Sequence, residues 1–520
     1  MPDPLAQPQI RPPALETRSI DKWFGANHAN RAVSLSVSAG TIHGIVGENG
    51  AGKSTVMSIV YGYLQPDGGE ILVHGRPVAI RSPRDALAAG IGMVHQHFML
   101  VDPFTVLENV LLGAEGGVTL SAGLARARQE LTRLARDYGL EVDLDSPVGD
   151  LPVGAQQRVE ILKALYRGAE ILILDEPTGV LTPQETDHLF RILRALREQG
   201  KTVIIITHKL REIMALTDNV TVMRRGAVAA NVATRETSRE QLAELMVGRK
   251  VLLRVEKTPA APGGEILRVE GLRVADAQRV ERVKGVDLTV RAGEIVGIAG
   301  VSGNGQSELL EALAGMRPIA GGRVFLRGEE LSGHPDRFNA HALRRLGVGH
   351  VPEDRQKVGL VTSFSANECA ILGFQDDPAW NGRVLLDRKA VAAHCAKEME
   401  AYDTRPRDPE LPAANFSGGN QQKIVLAREI ERNPHLLLVG QPTRGVDIGA
   451  IEFIHRRLIA LRDQGAAILL VSVELDEIRA LSDRILVMFD GHLVGEMMPD
   501  EAATGDGECR LGLMMAGAAG

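Results

Sequence analysis

The sequence predicts an α/β fold in two tandem domains, each built around a buried β core. A chain of 520 residues is too long for a single hydrophobic core. Both halves carry the same order of motifs, so that Asp175 matches Gly440 and His208 matches Val473, 265 positions later in each case. Continuous apolar runs at 171–174 and 202–206 suit strands buried on both faces of a sheet.

Each half begins with strand-like alternation, followed by an apolar strand that enters a glycine-rich loop. Helical spacing dominates between about 121 and 138, where Leu124, Leu131 and Leu134 share one face. Proline and glycine near position 260 indicate a short linker. The predicted division is a disordered tail at 1–15, a first domain at 16–250, a linker at 251–264, a second domain at 265–512 and a tail at 513–520.

Composition narrows the functional classes. The net charge of −7 and an aromatic content of 3% favour neither general affinity for nucleic acid nor base stacking. Three cysteines far apart in the sequence fit a reducing compartment and no disulfide framework. The N-terminus lacks the apolar segment of a secretory signal, and no run of 18 apolar residues occurs. We therefore expect any role at a membrane to depend on partner proteins.

The first half contains a complete phosphate-loop motif directly after an apolar strand. In such loops the backbone N–H groups surround the phosphates, the lysine reaches the β- and γ-phosphates, and the following serine binds Mg²⁺. A chance glycine turn is the alternative for this motif taken alone. The predicted ATP-binding residues here are Gly47, Glu48, Asn49, Gly50, Ala51, Gly52, Lys53, Ser54 and Thr55.

Two carboxylates, Asp175 and Glu176, follow the apolar strand at 171–174. The first suits Mg²⁺ and the second suits a general base for an attacking water. Two solvated carboxylates at a strand end are common in isolation. Their position after a phosphate loop favours ATP hydrolysis instead.

The motifs follow in the order phosphate loop, Gln96, a signature segment at 151–158, Asp175-Glu176-Pro177 and Thr207-His208, and the second half has its own signature segment at 416–423. This order resembles the ABC-type ATPases, and the resemblance occurs twice over nearly the whole chain. It implies two tandem P-loop ABC-type ATPase domains, each a mixed β core with a helical subdomain. The segments 92–100 and 351–355 resemble more narrowly the fused ATP-binding subunits of bacterial simple-sugar and nucleoside importers. The run His95 to Leu100 favours the nucleoside branch slightly.

The resemblance also implies individual roles. Gln96 would sense the γ-phosphate and Mg²⁺ and face a permease, while His208 would contact the γ-phosphate and Phe24 would stack on adenine. A lone aromatic beside Trp23, or a lone histidine at a strand end, is otherwise an ordinary structural residue. The signature residues Ser417, Gly418 and Gly419 of the second half would close over the same ATP. Asp447 would lie nearby, in the loop after the strand that matches 171–174.

The second copy of the motifs has lost the groups that this chemistry needs. Its phosphate loop has no lysine, and its strand ends in no carboxylate pair. The first half has the complementary fault, because Pro152 stands where the signature serine belongs. We therefore predict one competent site, formed from the first-half motifs and the second-half signature. The residues of the degenerate second site are Gly300, Gly305, Gln306, Ser307, Glu353, Gly440, Gln441 and Val473.

The resemblance implies the ATP-hydrolysing subunit of an importer, with ATP and Mg²⁺ as cofactors. Two transmembrane permease subunits and an extracytoplasmic substrate-binding protein would be its partners, without nucleic acid, and the chain would lie peripherally on the cytoplasmic face of the membrane. The alternatives are a soluble tandem ABC ATPase acting on the ribosome or DNA, and a nucleotide switch without turnover. The transported substrate and the number of chains per complex stay open.

Overall fold

A computed structural model describes residues 12–25, 27–95, 98–114, 120–179, 181, 183–250, 257–301, 303–334, 336–381, 385–446 and 448–517. The chain separates into two compact units, Met1–Val251 and Leu252–Gly520. The division falls at the start of the predicted linker.

The first unit contains two sheets. Its strands are β1 (Leu15–Phe24), β2 (Asn27–Val37), β3 (Ile42–Gly47), β4 (Gly68–Val73), β5 (Arg76–Val78), β6 (Ile91–Val94), β7 (Ile171–Asp175), β8 (Thr202–Ile206), β9 (Asn219–Arg224) and β10 (Ala227–Ala233). One sheet has the order β10-β9-β3-β8-β7-β6 and is parallel except for β10. The other sheet is antiparallel, with the order β2-β1-β4-β5.

Helices flank the parallel sheet of the first unit. They are α1 (Lys53–Val60), α2 (Pro83–Ala88), α3 (Val106–Leu111), α4 (Leu120–Tyr138), α5 (Val153–Tyr166), α6 (Pro183–Glu198), α7 (Leu210–Leu216) and α8 (Arg239–Val247). The helical spacing predicted for 121–138 is confirmed by α4, in which Leu131 and Leu134 are buried.

The parallel sheet of the first unit is buried on both faces. On β7, Leu172 and Leu174 pack with α3, α4 and α5, whereas Ile171 and Ile173 pack toward the antiparallel sheet. This alternation explains the continuous apolar runs, because each successive side chain enters a different core. Because β3, β8 and β7 are parallel neighbours, their carboxyl ends lie together at one edge of the sheet.

The second unit repeats this architecture. Its strands are β11 (Glu265–Ala275), β12 (Glu281–Arg291), β13 (Ile295–Ala299), β14 (Gly321–Leu326), β15 (Glu329–Glu330), β16 (Val348–Val351), β17 (Leu436–Gly440), β18 (Ala467–Ser472), β19 (Arg484–Phe489) and β20 (His492–Met497). The sheet orders are β16-β17-β18-β13-β19-β20 and β12-β11-β14-β15. The predicted mixed β cores are thus confirmed in both units.

Its helices are α9 (Gln306–Leu313), α10 (Ala340–Arg345), α11 (Ala366–Ala370), α12 (Arg388–Ala401), α13 (Gly418–Ile430), α14 (Ile448–Asp463), α15 (Leu475–Leu481), α16 (Pro499–Ala502) and α17 (Gly505–Met515). A π-helical turn spans Arg355–Gly359. Across the part of the chain that the structure describes, no helix is both long enough and apolar enough to cross a membrane.

The predicted tails overlap ordered structure at both ends. At the N-terminus, Ala14 is buried and β1 begins at Leu15. At the C-terminus, α17 continues through Leu513 to Met515, and Met514 and Met515 are buried. The interpretation of 513–520 as a disordered tail is therefore wrong for its first residues, since apolar side chains there pack against the core of the second unit.

Candidate functional site

The phosphate loop of the first unit connects β3 to α1. Gly52 caps α1 with φ of 92°, in the left-handed region that favours glycine. A Cβ atom on Gly52 would lie 2.5 Å from the carbonyl oxygen of Ala29 and 2.5 Å from Nδ2 of Asn30. The amide of Asn30 also donates to the Gly52 carbonyl at 3.0 Å. These contacts fix the loop at the N-terminus of a helix, where the backbone favours bound anions.

Lys53 points back across this loop. Its Nζ atom donates to the carbonyl oxygens of Gly47 at 2.8 Å and Glu48 at 3.0 Å, and the residue is 6% exposed. Burial lowers the pKa of the Lys53 ammonium, while the charges of Glu176 and Asp175 oppose that shift. Two hydrogen bonds to backbone carbonyls thus hold the buried ammonium group against the loop.

Asp175 ends β7 opposite the first turn of α1. The hydroxyl of Ser54 donates to Oδ1 of Asp175 at 3.4 Å. Burial raises the pKa of the Asp175 carboxyl, and the bond from Ser54 opposes that shift. A hydroxyl and a carboxylate this close offer the hard oxygen ligands that Mg²⁺ prefers, so the residues present fit that ion. When bound beside ATP, Mg²⁺ neutralises charge on the phosphates.

Glu176 and His208 lie on neighbouring turns that follow β7 and β8. Nδ1 of His208 lies 3.0 Å from Oε1 of Glu176. The Glu176 backbone has φ of 47° and its N–H donates to the carbonyl of Ile206 at 2.8 Å. The hydrogen bond with His208 lowers the pKa of Glu176. Glu176 therefore remains an ionised carboxylate at neutral pH, as a general base requires.

The other predicted site residues do not all lie beside Glu176 and His208. Phe24 lies at the end of β1 and is 48% exposed, so its ring is accessible for stacking. Gln96 and Asp447 lie outside the described residues. The signature residues belong to the second unit. There Ser417 caps α13, and Gly418 and Gly419 form its first turn.

Ser417 is oriented as a hydrogen-bond donor. Its hydroxyl oxygen accepts from the backbone N–H of Asn420 at 3.5 Å and from Nδ2 of Asn420 at 2.8 Å. Its hydrogen is consequently left to donate to an acceptor such as a phosphate oxygen. Pro152 caps the corresponding helix α5 in the first unit, without a side-chain hydrogen bond.

The phosphate loop of the second unit has the same backbone but a different interior. Gly305 caps α9 with φ of 99°, as Gly52 does for α1. The amide of Gln306 lies against Gly300 and takes the space that a Cβ there would fill. Gln306 is buried, at 4% exposure, and carries no charge. This loop therefore lacks the cation that would bind the β- and γ-phosphates.

A different carboxylate faces the loop serine of the second unit. Ser307 donates to Oε2 of Glu353 at 2.5 Å, and burial raises the pKa of Glu353. Gly440 occupies the strand end, and a Cβ there would lie 2.5 Å from Cγ of Glu353. The side chain of Glu353 thus fills the place that an aspartate at position 440 would need.

Gln441 and Val473 replace the carboxylate–histidine pair. Gln441 has φ of 48°, close to the value at Glu176. Its Oε1 atom accepts from the backbone N–H of Val473 at 3.4 Å. The backbone arrangement is preserved, whereas neither side chain can accept a proton from water at neutral pH.

The family model described as ABC transporter matches residues 30–179 and 283–444. One matched segment lies within each unit, and together the two cover more than half of the chain. The chain belongs to the ABC transporter family. It is therefore an ATP-binding protein and an ATPase, and the predicted fold and the predicted ATP cofactor are confirmed.

Relatives of this ABC protein match over almost the whole chain. A nucleoside import ATP-binding protein of Lactococcus lactis is 46% identical over 96% of this chain and 97% of its own length. A guanosine import ATP-binding protein of Bacillus subtilis is 46% identical, with 97% of each chain covered. A glucose import ATP-binding protein of Haloferax volcanii is 45% identical, covering 98% of this chain and 96% of its own.

Two features of the ABC units are not predicted by the sequence. In the second unit, Arg355 donates to the carbonyl of Arg444 at 2.7 Å and its guanidinium lies against signature Gly418. In the first unit, Glu212 accepts hydrogen bonds from Thr178 and Thr207, which follow β7 and β8. A side-by-side alignment of the halves could have marked Arg355, because Phe98 stands opposite it, but no local pattern marks Glu212.

Proposed function

We propose that this ABC ATPase energises an importer of simple sugars or nucleosides. The observation that carries the proposal is the near-full-length similarity to import ATP-binding proteins. Two of these relatives are named for a nucleoside or guanosine, which favours nucleosides slightly. The glucose importer subunit is almost as similar, so the proposal includes sugars as well.

Within this proposal, each chain has one hydrolytic site. It combines the phosphate loop, Asp175, Glu176 and His208 of the first unit with the signature of the second unit. The support is that the two halves lack different groups. Gln306, Gly440 and Gln441 replace the catalytic lysine and carboxylates in the second half, and Pro152 replaces the serine of the signature that would pair with those motifs. Removing one preorganised catalytic group typically lowers the rate about 10²–10³-fold. A site that lacks several of them contributes no useful turnover.

The residues of the proposed site divide the work. Lys53 and the loop N–H groups bind the phosphates. Ser54 and Asp175 would hold Mg²⁺, and the family resemblance adds Gln96 to these ligands. Glu176 accepts a proton from the attacking water, and His208 orients that carboxylate and contacts the γ-phosphate. Phe24 stacks on adenine. Ser417, with the N–H groups of Gly418 and Gly419, binds the γ-phosphate from the other side.

The proposed partners are two transmembrane permease subunits and an extracytoplasmic substrate-binding protein that acts through them. The chain would attach peripherally to the cytoplasmic face of the membrane and would bind no nucleic acid. In this arrangement ATP binding closes the two units, closure moves the permease, and hydrolysis resets it. The transported molecule would then be selected by the binding protein and the permease.

Co-purification tests this proposal. The tagged chain is isolated from its own gently solubilised membranes, and the proteins that accompany it are identified by mass spectrometry. Multi-span permeases and a substrate-binding protein are the expected result. Recovery of ribosomal proteins or nucleic acid without a permease would contradict the importer and favour a soluble tandem ATPase.

A further inference from the structure

Two buried side chains, those of Gln157 and Thr178, form hydrogen bonds that hold the turn after Glu176 in place, and we call these two bonds the tethers. Nε2 of Gln157, on the signature helix α5, donates to the carbonyl oxygen of Pro177 at 2.6 Å. The hydroxyl of Thr178 donates to Oε1 of Glu212, in the first turn of α7. Gln157 is 2% exposed and Thr178 is 3% exposed, so both donor groups are largely shielded from water.

Glu212 also reaches the turn that carries His208. Its Oε2 atom accepts from the hydroxyl of Thr207 at 3.4 Å, and that hydroxyl accepts from the backbone N–H of Lys209 at 3.0 Å. Nζ of Lys209 lies 4.0 Å from the Glu212 carboxylate. One carboxylate therefore joins the residue two positions after Glu176 to the residue just before His208.

The second unit has the same glutamine and glutamate at the equivalent positions, but these residues do not form the tethers. Gln422 and Glu477 stand 265 positions after Gln157 and Glu212. Among the residues that the structure describes, Nε2 of Gln422 and Oε2 of Glu477 are buried without a hydrogen-bond partner. The other oxygen of Glu477 lies 3.3 Å from Nε2 of His455. The tethers thus occur in the unit that has a carboxylate–histidine pair. In the unit without such a pair, the equivalent glutamine and glutamate are present but are not bonded in this way.

We propose that Glu212 and Gln157 are positioning residues for hydrolysis, which fix the turns bearing Glu176 and His208 relative to each other. Gln441 keeps the backbone conformation of Glu176 without such tethers, so they are not needed for that φ value. What they set is the separation of the two turns. Misplacement of a catalytic group by about 1 Å can lower a rate about 10²-fold. The inference rests on the catalytic role proposed for Glu176.

Matched substitutions in the full-length chain test the inference. Glu212→Ala and Thr178→Val each remove the same bridge, and we expect each to lower kcat for ATP about tenfold or more while KM changes little. The double variant is expected to be no slower than Glu212→Ala, because both changes break one connection. Glu477→Ala, at the repeated position without a bridge, is the control and should keep the parental kcat.

Three results would overturn the inference: an unchanged kcat in Glu212→Ala, an equal loss in Glu477→Ala, or losses that multiply in the double variant. Thermal unfolding of each variant separates misfolding from misplacement. If Glu212→Ala does not fold, Gln157→Ala removes the other tether and must show the same loss of kcat. Glu176→Gln keeps the two proposals apart. If Glu176→Gln abolishes turnover but Glu212→Ala leaves turnover unchanged, the catalytic role of Glu176 stands and only the positioning role of Glu212 is refuted.

Discussion

Nδ1 of His208 lies 3.0 Å from Oε1 of Glu176, although the two residues are 32 positions apart in the chain. The contact forms because β7 and β8 are parallel neighbours, so that the turns after them meet at one edge of the sheet. The same hydrogen bond lowers the pKa of Glu176. A carboxylate and the histidine that hydrogen-bonds to it are thus brought together by sheet topology.

Substituting Glu176→Gln should abolish steady-state hydrolysis. The amide keeps the size of the side chain but cannot accept a proton, and loss of a general base typically lowers the rate about 10²–10⁴-fold. ATP binding should persist, because Lys53 and the phosphate loop are untouched. Phosphate release and retention of radiolabelled ATP measure the two effects. Unchanged turnover would refute the assigned base.

Lys53 and Gln306 offer a matched pair of substitutions at equivalent loop positions. Lys53→Ala removes the buried cation that we propose binds the phosphates, and we expect weaker ATP binding with at least about 10²-fold slower hydrolysis. Gln306→Ala removes an uncharged side chain and should leave hydrolysis unchanged. Equilibrium dialysis with ATP and a steady-state assay test both variants. A similar loss in both would mean that the second loop takes part in turnover.

Ser417 and Pro152 test which signature serves the working site. Ser417→Ala removes the hydroxyl that is oriented to donate, and a loss of about 10²-fold in kcat is expected. Pro152→Ala changes the cap of the other signature helix, and little effect on turnover is expected. Steady-state assays at saturating ATP make the comparison. Greater sensitivity to the change at 152 would contradict the proposed pairing.

The strands and the motif residues could be predicted because their signals are local. The runs at 171–174 and 202–206 alternate between two cores, and the phosphate loop needs Gly52 for its backbone. The C-terminal helix α17 has no such local signal, because it depends on packing against the core, which buries Met514 and Met515.

The side-chain partnerships of both sites could not be predicted from spacing. Ser307 and Glu353 are 46 positions apart, and Thr178 and Glu212 are 34 apart, so neither pair leaves a local pattern. The sequence shows only that Gly440 stands where the first half has Asp175. In the structure, Glu353 packs into that space and bonds to the loop serine.

Glu429 gives a prediction for stability in the second unit. Its buried carboxylate pairs with Arg428 at 2.8 Å and Arg344 at 3.0 Å, and accepts from the backbone N–H of His350 at 3.1 Å. Removing one partner of a buried ion pair typically costs about 3–5 kcal/mol. Glu429→Gln should therefore lower the free energy of unfolding by that amount at neutral pH, as measured by denaturant titration.

The pH dependence of that loss has a definite sign. Burial tends to raise the pKa of Glu429, but Arg428 and Arg344 outweigh it, so the pKa lies below the ordinary value of 4.5. A carboxylate with a lowered pKa stabilises the fold above its unfolded pKa and loses that effect as pH falls. The difference between parent and Glu429→Gln should shrink below about pH 4.5. A difference that grows in acid would contradict the ion pairing.

The most direct test of a single competent site is to trap the hydrolysis product with vanadate and locate it. A photoreactive ATP analogue labelled in the α-phosphate is turned over with Mg²⁺ and vanadate, then cross-linked, and the labelled peptides are mapped. We predict product trapped on peptides from the phosphate loop of the first unit, and no trapping in Glu176→Gln. Equal trapping at the phosphate loops of both units would contradict the account.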